Sequence, residues 1–135
     1  MKNIVFVDSE NVSKRFWRKI FHLASENEER WEFRIYRREH DLGTMGWSQI
    51  VKNEVWEAPR IKIKEIRIAG KASKQKVDKI IISEMLLMRM DCAWIISSDH
   101  GYGKCLDLLR EKKVAIKGMG NGEKFGRHCD LYLHL

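Results

Sequence analysis

A three-layer α/β domain, with a mostly parallel central sheet between layers of helix, is the fold class this sequence predicts. Short apolar runs such as Ile4 to Val7 and Ala93 to Ile96 lack polar alternation, the pattern of strands covered on both faces. Stretches of helical period lie between them, so strand and helix alternate along the chain. A 135-residue chain that is 44% hydrophobic, with one proline and no linker-like stretch, suits a single domain over residues 1–135.

The first strand is Ile4 to Val7. Phe16, Trp17, Ile20, Phe21 and Leu23 then recur at helical spacing, with Ser13 as cap, and the polar run Ser25 to Arg30 reads as a loop. Trp31, Phe33 and Ile35 alternate with Glu32, Arg34 and Tyr36, which marks a second strand. After a loop from His40 to Gly46, a short helix is expected over Trp47 to Trp56. "IKIKEIRIAG" also alternates, but its phase slips at Lys64 and Glu65, so a strand with a bulge is expected, ended by Gly70. From a cap at Ser73 the strongest helix runs to about Met90, with Val77, Ile80, Ile81, Met85, Leu86 and Met88 on a broad apolar face. Ala93 to Ile96 is the next strand, Tyr102 to Lys112 a helix carrying Leu106, Leu108 and Leu109, and Val114 to Ile116 a further strand. "GMGNG" reads as a flexible loop before the apolar tail Leu131 to Leu135.

Right-handed crossovers between parallel strands gather every strand's carboxyl end, and the start of each following helix, at one edge of the sheet. Asp8 lies just past the first strand, Asp99 just past the central one, and Asp78 in the first turns of the long helix. Taken singly, Asp8 and Asp99 are polar strand ends, and Asp78 answers the positive end of a helix dipole. Taken together, they meet in the crevice where open α/β sheets bind ligands. Carboxylates so gathered repel unless a cation neutralises them. A hard divalent ion with oxygen ligands, Mg²⁺ or Mn²⁺, fits such a cluster, and can activate a water and hold a phosphodiester for in-line attack. Asn11 and Glu10 follow Asp8 closely enough to orient a ligand water, and Ser97 and Ser98 can hydrogen-bond to Asp99 or to a phosphate oxygen.

The formal net charge of +7 and pI near 9.4 favour a polyanionic partner, nucleic acid ahead of an anionic membrane surface. Lys71, Lys74 and Lys76 lead directly into Asp78 and are candidates for phosphate contact, where they would act by counterion release. His100, beside Asp99, is a candidate general base or phosphate donor. Trp47 and Trp56 suit burial in the core or at a partner interface better than stacking on bases. No apolar run approaches a membrane span, and no h-region of signal-peptide length follows Met1. Cys92, Cys105 and Cys129 form an odd set without close pairs, so a reducing, cytoplasmic setting is expected. No paired CxxC or HxxxH spacing supports zinc at His100, Cys105, His128 and Cys129.

Three stretches, "VFVDSEN", "KASKQKVD" and "WIISSDHGYGKCLDLLREKKVAIKGMG", resemble the NYN branch of the PIN-like nucleases. Their order and separation make the resemblance more specific than any one of them. It implies a PIN-like, Rossmann-like fold and a metal-dependent ribonuclease, with Asp8, Asp78 and Asp99 as metal ligands and Asn11 supporting them. His100 and Gly101 stand where many members carry a further acid, which leaves Glu10 and Asp130 as candidates for a fourth ligand, Asp130 being better suited to a structural contact near the C-terminal strand. Single-stranded or looped RNA is the substrate this implies, although the residues themselves do not separate RNA from DNA. A nucleic-acid-binding module without catalysis is the rival reading. An aspartate-dependent phosphatase, with Glu10 two residues after Asp8, is a weaker one. A homodimer or a regulatory protein partner is left open.

Overall fold

The computed structural model describes residues 2–9, 19, 22, 29–38, 60–68, 74–97, 102–120 and 128–134. Six strands, β1 (Lys2–Asp8), β2 (Arg30–Arg38), β3 (Ile61–Ile68), β4 (Cys92–Ile96), β5 (Ala115–Gly120) and β6 (Leu131–His134), form one sheet in the order β3-β2-β1-β4-β5-β6. Every neighbouring pair is parallel. Helix α1 (Lys74–Leu87) lies between β3 and β4, and helix α2 (Gly103–Glu111) between β4 and β5. The chain steps outward from β1 to β3, returns to β4 on the other side of β1, and steps outward again. The strand order therefore reverses between β1 and β4, and the crevice beyond their carboxyl ends is the switch point where such sheets take ligands.

Successive side chains of a strand point to opposite faces, so β1 contributes to two cores. Ile4 and Phe6 pack with Tyr36, Ala93, Ile95 and Ile116 of the sheet, with Val77, Ile81 and Met85 of α1, and with Leu106 and Leu109 of α2. Val77, Ile81 and Met85 recur every four residues, a single stripe along the helix. Val5 and Val7 belong to the other face, with Trp31, Phe33, Ile35, Trp94, Ile96 and Met119. Burial on both faces explains why the β1 and β4 runs do not alternate. Asp8 is in phase with Ile4 and Phe6, and Ser97 with Ala93 and Ile95. Both acid and hydroxyl are therefore carried to the α1–α2 side.

A polar network fastens α1 to the sheet. Glu84 of α1 accepts hydrogen bonds from the Tyr36 hydroxyl and from Arg34 Nη2, the latter at 3.0 Å, while Arg34 Nη1 reaches Glu32 at 3.1 Å. Burial, and then the Glu84 carboxylate, hold the Tyr36 phenol well above its ordinary pKa, so it stays a proton donor to Glu84.

Three sequence expectations change. The bulge expected in β3 is absent among the described residues, since its register with β2 runs unbroken from Trp31↔Ile61 to Arg38↔Ile68. The phase slip arises because this edge strand serves both cores, with Ile61 and Ile63 on one face and Ile66 and Ile68 on the other. Gly118, Met119 and Gly120, expected in a loop, are strand residues held between β4 and β6. Helix α1 ends at Leu87 rather than near Met90. The segment expected as a helix through Leu23, the loop from His40, the expected helix over Trp47 to Trp56 and the Ser73 cap lie outside the described residues, apart from the helical positions Lys19 and His22.

Candidate active site

Asp8 ends β1 with no exposed surface. Its Oδ2 accepts one hydrogen bond from Ser97 Oγ at 2.9 Å and faces the Tyr102 hydroxyl at 3.0 Å. The same hydroxyl lies 3.1 Å from Oδ1 of Asp78 in the second turn of α1. The end of β1, the residue after β4, the residue before α2 and the start of α1 thus converge at the switch point. The backbone explains the precision of this meeting. Ser97 N donates to Met119 O at 3.0 Å, which keeps Ser97 in line with the sheet one residue past β4, and Ser9 Oγ donates to Tyr36 O at 2.6 Å, which ties the end of β1 to β2.

Tyr102 is fully buried. Burial first, and then the adjacent Asp8 and Asp78 carboxylates, push its phenol far above the ordinary tyrosine value, so it stays neutral and protonated. A phenol has one proton to donate, yet it stands between two carboxylates. Its one proton therefore serves one of the two carboxylates at a time. That donor set, hard oxygens from two acids in a crevice, fits a divalent cation such as Mg²⁺ or Mn²⁺.

The structure brings Asp8, Asp78 and Ser97 together. Ser97, expected to touch nucleic acid, is fully buried and directs its hydroxyl at Asp8, so it supports a carboxylate instead of presenting a surface to phosphate. Lys76 is exposed in the first turn of α1, and Lys74 begins that helix. Asp130 is at the other edge: its Oδ2 accepts from Ile116 N at 2.7 Å, level in register with Ala93 and Ile4. Four residues separate Ile4 from Asp8, about 13 Å along a strand, which removes Asp130 as a fourth ligand and gives it the structural role instead. Asp99, Asn11, Glu10, Ser98, His100 and Lys71 lie outside the described residues. Among the described residues no group of three or more His, Cys, Asp or Glu side chains converges, so the acids seen to meet are the pair Asp8 and Asp78.

Tyr102 is the site residue that sequence reasoning did not single out. The available signal was an aromatic between Gly101 and Gly103 at the mouth of a helix, on the same edge as the acids. Its ring suggests packing, whereas its hydroxyl is what joins the acids.

A six-stranded parallel sheet with helices, and with Asp8 and Asp78 meeting at its switch point, defines an α/β domain of the Rossmann-like class. The NYN domain family model matches residues 2–134, and the chain belongs to that family, a PIN-like nuclease family. It is accordingly a nuclease-like domain. No curated protein and no solved structure matches the chain. None of the described helices is long and apolar enough to cross a membrane.

Proposed function

We propose that this domain is a metal-dependent endoribonuclease that cuts phosphodiester bonds in single-stranded or looped RNA. The observation that carries the reading is the meeting of Asp8 from β1 and Asp78 from α1 on one hydroxyl at the switch point. Asp8, Asp78 and Asp99 would hold Mg²⁺ or Mn²⁺. When bound, the ion supplies a water of lowered pKa and positive charge beside the scissile phosphate.

The chain's own residues do the remaining work. Ser97 and Tyr102 both direct their hydroxyls at Oδ2 of Asp8. Lys71, Lys74 and Lys76 would grip phosphates, Asn11 would support the acids, and His100 would serve as general base or phosphate donor. An open crevice admits a splayed, unpaired strand more readily than a stiff duplex. Membership of a nuclease family supports hydrolysis of a phosphodiester, and the net charge of +7 supports a polyanionic substrate.

The test is Mn²⁺-dependent cleavage of a labelled RNA by wild type and by Asp8→Asn, Asp78→Asn and Asp99→Asn. Loss of cleavage in all three variants is expected. Equal cleavage by wild type and variants refutes the site. Binding of the RNA should also weaken steeply with salt, and salt-insensitive binding contradicts the role given to the lysines.

A further inference from the structure

We infer that Tyr102 is a positioning residue that sets the spacing and orientation of the Asp8 and Asp78 carboxylates, and that its hydroxyl, apart from its ring, tunes the crevice for a divalent cation. This rests on the cation-holding role proposed for those acids. The position of its hydroxyl between the two acids is what points to Tyr102.

The side chain is a fixed post. Its backbone is locked because Leu106 N donates to Tyr102 O at 3.0 Å, the first hydrogen bond at the α2 amino end. Its ring is fully buried and packs in the core under α1 and α2. With backbone and ring both held, the hydroxyl oxygen has no freedom beyond turning its proton.

That fixed oxygen meets two acids carried by different elements. Asp8 sits on β1 in the middle of the sheet, and Asp78 on α1 laid across it. Two carboxylates without a cation tend to separate and turn away from each other. Here Asp8 Oδ2 accepts from Ser97 Oγ, and the one phenol proton is shared between Asp8 Oδ2 at 3.0 Å and Asp78 Oδ1 at 3.1 Å, which keeps both oxygens at the same hydroxyl. Fixing one oxygen of each carboxylate fixes the plane of the group, and with it the direction of the other oxygen. Tyr102 therefore acts on a cation through the acids, as outer partners of metal ligands do. Loss of such a partner typically lowers metal affinity by about 10–100-fold.

The experiment is a calorimetric Mn²⁺ titration of the full chain, wild type against Tyr102→Phe, with thermal unfolding of both in chelator. Phenylalanine keeps the buried ring and removes only the hydroxyl. The expected result is cooperative unfolding in both proteins and an affinity for Mn²⁺ about 10–100-fold weaker in the variant. The Mn²⁺ concentration needed for half-maximal RNA cleavage should rise by the same factor. Equal affinity overturns the inference, including the case where the unfolding midpoint falls but affinity does not, which would make Tyr102 a packing residue alone. Absence of Mn²⁺ binding by wild type overturns the metal-dependent reading itself, and this inference with it. Should Tyr102→Phe fail to fold, the wild type still decides: Mg²⁺ must produce a tyrosine difference spectrum that saturates with binding, and binding without that spectrum overturns the inference.

Discussion

Ser97 and Gly120 approach each other so closely across β4 and β5 that a β-carbon on Gly120 would lie 2.0 Å from the Ser97 carbonyl oxygen. The obstacle is backbone, which cannot swing aside as a flexible side chain can. Ser97 N is also held by Met119 O at 3.0 Å. Gly120→Ala must therefore drive the end of β5 away from β4 and move Ser97, whose hydroxyl holds Asp8. Overpacking of this kind costs about 1–3 kcal/mol. Urea unfolding should show that loss, and RNA cleavage should fall further than stability alone explains. Wild-type stability and activity in the variant would reject the coupling of this glycine to the site.

Much of that arrangement could be read from the residues. The apolar runs ending in Asp8 and approaching Asp99, with Asp78 opening a helix, contain the topological argument for convergence; the fold brings Asp8 and Asp78 to one hydroxyl, while Asp99 lies outside the described residues. Tyr102 was not legible, because periodicity reports burial of its ring but not the position of its oxygen. The strand character of Gly118 to Gly120 was hidden for a related reason. Glycine signals a turn when read locally, whereas position 120 needs glycine because the neighbouring strand leaves no room. The sequence already favours a structural contact for Asp130 near the C-terminal strand, and its carboxylate accepts from Ile116 N in that way.

Asp78→Asn separates catalysis from folding. Asparagine keeps the shape of the side chain and an oxygen that can still accept from Tyr102, while removing one charge near the buried Asp8. Relief of repulsion should leave stability in chelator equal to or above that of wild type. Outer partners of a metal are worth about 10–100-fold, so loss of a direct ligand should lower cleavage by at least about 100-fold. Parallel unfolding and cleavage assays check both halves. A variant that is less stable in chelator, yet active, would assign Asp78 to structure.

Helix α2 ends in a turn whose second residue past the helix, Lys113, is strained. Lys113 has φ of 63°, Lys113 N donates to Arg110 O at 2.9 Å, and Val114 N donates to Leu109 O at 3.2 Å. This is the Schellman arrangement, in which the left-handed position is normally glycine. A lysine β-carbon makes that conformation costly, whereas glycine adopts it freely. Lys113→Gly should stabilise the fold by up to about 1 kcal/mol, the gain in the native turn being partly offset by a more flexible unfolded chain. Chemical denaturation measures it. A destabilised variant would mean that the lysine side chain contributes more than its backbone strain removes.

Alkaline pH should weaken the fold through two thiols. Burial raises Cys105 from the ordinary 9.0 to about 11, and burial together with the Asp130 carboxylate does the same for Cys129. A thiol with a higher pKa in the folded state binds its proton more tightly there than in the unfolded chain. The resulting stabilisation is fully present below 9.0 and is lost as pH rises from 9.0 to about 11. Urea midpoints measured across that interval should decline. The decline should be shallower in Cys105→Ala/Cys129→Ala, even though cavity formation lowers that variant's stability at every pH. An identical slope in the two proteins would place the alkaline loss elsewhere, because only a difference in slope, and not in level, reports the titration of these thiols.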